Sequence, residues 1–107
     1  MPDPVKSIPL LSKATAVSTG RTITEAPKQK TFDAVVQGTG AVTATVVFEG
    51  SNNGFAGNVG TLLATLNLSG TTSAADGIYH DAPWSAVRAR VTAISGAGAV
   101  VDAAMGV

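Results

Sequence analysis

The sequence predicts an all-β single domain, an antiparallel sandwich or barrel carrying an extended N-terminal arm, with the arm over residues 1–11 and the domain proper over residues 12–107. Three observations predict it. Apolar and polar residues alternate in short runs, glycine-rich turns separate the runs, and a chain of 107 residues holds one core but not two.

The arm follows from Pro2, Pro4 and Pro9, which remove backbone donors and bias the chain toward extended structure. An arm of this kind docks on its own domain or on a neighbour, and Pro2, Pro4, Ile8, Pro9 and Leu10 are its candidate interface residues.

Phe32, Ala34 and Val36 share one face of the next run, and Val42, Ala44, Val46 and Phe48 share one face of the run after it. Gly38-Thr39-Gly40 lies between them, a spacing that predicts a hairpin. Leu62, Ala64, Leu66 and Leu68 alternate with Leu63, Thr65 and Asn67, and this run is expected to be a central strand. Val87, Ala89 and Val91, then Val101, Ala103 and Met105, flank Gly96-Ala97-Gly98 and predict a second hairpin. Both connections read Gly-x-Gly-Ala-Val, but their flanks differ too much to make a duplicated unit. Residues 50–60 hold four glycines and three asparagines around Phe55, which reads as a long exposed loop with Asn52, Asn53 and Phe55 as candidate contacts.

Composition narrows the function classes. Formal net charge is zero and only 13% of residues are charged, so there is no basic field for nucleic acid. Without cysteine there are neither disulfides nor thiolate metal sites. Met1-Pro2-Asp3-Pro4 lacks the pattern of a secretory signal, and the longest uncharged stretch, residues 50–75, is too rich in Asn, Ser, Thr and Gly to cross a bilayer, so neither general export nor a membrane partner is expected.

Catalytic chemistry finds little to build on. His80 is the single histidine and reads as a loop residue near the sandwich end. No serine sits in a Gly-x-Ser-x-Gly elbow, and Asp33, Glu49, Asp76, Asp81 and Asp102 show no spacing that forces two carboxylates together. One imidazole and scattered carboxylates fall short of a zinc site, leaving calcium near Asp76 as the only metal reading to test. The expectation is no catalytic residue, no metal and no cofactor. Tyr79, His80 and Trp84 suggest an aromatic platform for sugar, against the simpler reading that Trp84 caps the core and Tyr79 covers an edge. Arg88 and Arg90 project from one sheet face, opposite Val87, Ala89 and Val91, either as a solvated surface or as interface ion pairs.

Several segments, in order, resemble small virion structural proteins of tailed bacteriophages, of the capsid decoration or cement type. They are Gly38-Thr39-Gly40-Ala41-Val42 with Ala44-Thr45-Val46, Glu49-Gly50-Ser51-Asn52, Leu68-Ser69-Gly70-Thr71-Thr72, Ala75-Asp76-Gly77, and Ala82-Pro83-Trp84 with Val87-Arg88 and Val91-Thr92-Ala93-Ile94-Ser95-Gly96. The resemblance implies a β-sandwich or jelly-roll-like subunit, made in the bacterial host cytoplasm and carried in the virion. Its implied partners are the major capsid protein or another virion protein, and copies of itself. A tail or head-to-tail connector component is the alternative within that class, and a carbohydrate-binding β-sandwich module is the alternative outside it.

Overall fold

The computed structural model describes residues 6–26 and 28–107. Among the described residues, nine strands follow one another: β1 Ser7–Ala14, β2 Ser18–Thr19, β3 Ile23–Ala26, β4 Gln29–Gln37, β5 Val42–Ser51, β6 Thr61–Gly70, β7 Ser73–Asp81, β8 Trp84–Ser95 and β9 Val100–Gly106. One sheet has the order β1-β9-β4-β7; the other has β2-β8-β5-β6, with β3 pairing the opposite end of β8 from β2. Every pairing is antiparallel. Counted as two pieces of one edge strand, β2 and β3 leave four strands in each sheet. Successive strands then alternate between the sheets except at β5–β6, which gives a jelly-roll-like sandwich.

The alternation read from the sequence is the inward face. Phe32, Ala34 and Val36 on β4 meet Val42, Ala44, Val46 and Phe48 on β5, and Val87, Ala89, Val91, Val101, Ala103 and Met105 complete the centre. The rings of Phe32 and Phe48, one from each sheet, stack with centroids 4.6 Å apart.

The connections differ from the expected hairpins. β4 and β5 lie in different sheets, as do β8 and β9, so both Gly-x-Gly segments are arches that carry the chain from one layer to the other. The arches lean on each other: Thr39 donates to the Ala97 carbonyl through its N–H (3.0 Å) and its hydroxyl (3.1 Å). Gly96 has φ 121°, and a Cβ there would stand 2.5 Å from the Ala41 carbonyl oxygen, so this position admits only glycine. A Gly-x-Gly turn serves a hairpin and an arch equally well. The layers decide between them, because β4 and β5 each bury one face and can bury it only against the other sheet.

Three further expectations are corrected. The run at Leu62–Leu68 is β6, an edge strand, because β8 occupies the other side of β5. Its alternation also breaks at Leu63, an extra residue in the pairing with β5, which turns Leu62 outward. The N-terminal segment is not a separate arm from Ser7 onward. It is β1, paired with β9, and Leu10 and Leu11 lie in the core. Pro9 is accommodated because β1 is an edge strand, where a missing donor breaks no ladder. Pro2 and Pro4 fall outside the described residues.

Truncating either stacked ring should be costly. Phe32→Ala or Phe48→Ala is expected to lower unfolding free energy by about 3–5 kcal/mol and Leu10→Ala by about 2–5 kcal/mol, measured as a shift of the urea midpoint at constant slope.

Candidate functional site

Two groups of polar side chains stand out, one on the outer face of the β8-β5 pair and one at an end of the sandwich. On the outer face, Glu49 of β5 pairs with Arg88 of β8 in register. Arg88 Nε donates to Glu49 Oε1 at 2.8 Å, and Arg90 Nη1 donates to Glu49 Oε2 at 3.0 Å. The other Arg88 donors go to Asn58, at 2.8 Å to Oδ1 and 3.2 Å to the carbonyl, and the guanidinium lies 4.1 Å from the Phe55 ring centroid. Both Glu49 and Arg88 are buried, while Arg90 keeps part of its side chain in solvent.

The cover is the β5–β6 connection. Ser51 Oγ receives the N–H groups of Asn53 (3.1 Å) and Phe55 (3.0 Å) and donates to Asn53 Oδ1 (2.6 Å), which ties the loop into a compact turn. Asn52 Oδ1 receives Ser85 N–H at 2.9 Å. Phe55 and Asn58 are left-handed, and Phe55 is buried in contact distance of Gly60 and Arg88. The expectation of a freely exposed loop is therefore corrected for Phe55, although Asn52 and Asn53 are exposed. Arg88 points out of the sheet as alternation requires, yet it is neither a solvated surface group nor an interface ion pair. The loop folds over it.

At the sandwich end, His80 is a strand residue of β7, paired with Lys30 of β4. Trp84 Nε1 donates to His80 Nε2 at 3.1 Å, and the indole packs on Gly50, where a Cβ would stand 2.6 Å from the ring. Lys30 is buried, and its ammonium donates to the Ala82 carbonyl and, at 3.4 Å, to the Lys28 carbonyl. Burial pulls the Lys30 ammonium below its ordinary value against the attraction of Asp81. Burial, then the Lys30 charge, pulls the His80 imidazole below its ordinary value, with Asp81 opposing. Trp84 caps the core here, while Tyr79 pairs with Thr31 and is exposed.

Of the other candidates, Ile8 is half-buried against the core, Pro9 is exposed and Leu10 is buried. Among the described residues, no three His, Cys, Asp or Glu side chains converge as a metal site, and no helix is long and apolar enough to cross a membrane. Comparison of the chain with protein-family models, curated proteins and solved structures finds no match.

Two outcomes follow from these groups. Arg88→Met leaves Glu49 Oε1 without its donor and Arg90 as the carboxylate's remaining ion-pair partner, and is expected to cost about 1–3 kcal/mol in urea unfolding, while Glu49→Leu combined with Arg88→Met recovers most of the loss. Because the His80 pKa is lowered in the folded protein, its stabilising contribution is whole above the unfolded value of 6.5 and drains away as pH falls through the folded value. Unfolding titrations from about pH 7.5 down to about pH 5 should show that loss, and His80→Asn should flatten it.

Proposed function

We propose that this protein is a structural subunit that acts by binding other protein surfaces, and specifically a decoration or cement protein on the head shell of a tailed phage. The observation that carries the assembly reading is shape: the two sheets make a slab of 41 × 38 × 17 Å, whose broad faces and long strand edges suit lying against neighbours. Its buried ionic groups are engaged in holding the slab together, with Glu49 bound to Arg88 and Arg90, and Lys30 bound to carbonyls. Jelly-roll-like sandwiches serve as capsid domains and as lectins, so fold alone does not choose among functions. The phage-shell reading rests on the ordered segments from Gly38-Thr39-Gly40 to Ala82-Pro83-Trp84.

In this role each contact can be weak. A shell offers many equivalent sites, so a modest interface per subunit adds up over the particle and opposes outward pressure. The test is copy number in purified particles. On the order of hundreds of copies supports the shell role, about a dozen or fewer transfers the protein to a tail or connector, and absence from particles overturns the virion reading.

A further inference from the structure

A sandwich with open sheets exposes strand edges, and each edge is a template for another strand unless something blocks it. Three of the four edges here are blocked. β1 carries Pro9 and two register shifts against β9, and Lys13 on it is left-handed. β2 and β3 are only two and four residues long, and the segment between them is sewn to both layers by Gly20 N–H to the Ala89 carbonyl (2.8 Å) and Arg21 N–H to the Leu10 carbonyl (3.1 Å). On β7 the Asp76 carboxylate takes the Gly77 N–H of its own strand at 2.8 Å, and Asp81 adds a second charge.

β6 has none of these guards over most of its length. Its ten residues, Thr61–Gly70, include no charge and no proline, and its one irregularity, at Leu63, lies near its start. From Ala64 to Gly70 seven consecutive residues keep regular register with β5. Leu62 and Val59 are exposed apolar residues beside the same edge.

We propose that β6 docks a second copy of this chain, pairing antiparallel with the second copy's β6 so that the sheet β2-β8-β5-β6 runs on across a two-fold axis. Self-pairing sets like against like, and a charged strand would oppose itself; β6 carries no charge to do so. Centred on Asn67, the pairing sets Leu66 beside Leu68 of the second copy on the inner face. On the outer face it sets Thr65 beside Ser69 of the second copy, a hydroxyl pair suited to cross-strand hydrogen bonding. The paired run Ala64–Gly70, about 23 Å long, and the slab's 17 Å depth cover about 800 Å² over both copies, the size of a weak, reversible contact. This contact goes beyond the assembly reading, since it holds between copies whatever larger array they join.

Light scattering on the full chain tests it. The expected result is a mass that rises toward twice the chain mass as concentration is raised, with Asn67→Lys held at the single-chain mass at an unchanged circular dichroism spectrum, because the substitution sets two ammonium groups against each other at the axis. Ser69→Lys, on the same exposed face, serves if Asn67→Lys does not fold, and Val17→Lys, on the exposed β1–β2 connection, should remain dimeric. Hydrogen exchange should slow at Ala64–Gly70 in the wild type and quicken in the monomeric variant. A wild-type chain that stays monomeric up to its solubility limit, or folded Asn67→Lys and Ser69→Lys variants that stay dimeric, overturns the proposal. Particle copy number is read separately: a monomer found on particles sinks only the pairing, and a dimer absent from particles sinks only the virion reading.

Discussion

The Phe32–Phe48 stack sets the distance between the layers, and the rest of the core is fitted to it. Phe, Trp and Tyr together supply only five rings in the chain, and the inward positions are otherwise filled largely by Val, Ala and Leu. Small side chains fill a sandwich only where the sheets close up, yet two rings crossing from β4 and β5 hold the layers a fixed distance apart. Met105, fully buried on β9, and Trp84 at the sandwich end occupy places where that separation leaves more room than Val or Ala can fill. Gly50 completes the fit, since any side chain there would displace the indole.

The network around Glu49 acts on register. A slip of one residue between β5 and β8 would turn either Glu49 toward the apolar interior or Val87 toward the loop, so the ion pair and the alternating core enforce the same pairing. Such a pair contributes little net stability over a well-packed apolar substitute, and its value lies in penalising the wrong arrangement. The loop from Asn52 to Gly60 belongs to this device. It removes Arg88 from water and supplies Asn58 and the Phe55 ring as replacements for the lost hydration.

Strands whose buried residues alternate over several positions were legible in the sequence, and the others, β1 with its adjacent Leu10 and Leu11 among them, were not. β4, β5, β8 and β9 announce themselves by period-two alternation of apolar residues, whereas β7 is exposed at most of its positions and β2 at both. Pairing partners were hidden for a different reason. Local turn chemistry at Gly38-Thr39-Gly40 is the same for a hairpin and an arch, and only the demand of both strands for a second layer separates them. For the polar groups, alternation placed Arg88 on the correct face but could not show that Phe55, thirty-three positions earlier in the chain, would close over it. One signal was available: Glu49 is a lone acid at an outward position of β5, and a lone acid on a strand calls for a cation on the strand beside it. His80 was hidden because its role depends on Lys30 and Trp84, brought together from β4 and β8.

β1 opens and β9 closes at the same corner, where Lys6 and Val107 exchange a pair of backbone hydrogen bonds, each 2.9 Å long. Tension applied between those two residues would meet the β1–β9 ladder one rung at a time, as a zipper opens, and peel away β1 together with Leu10 and Leu11. The slab is thus mechanically weak when pulled by its two ends, while a load pressed across its faces is borne by the packed layers between the sheets.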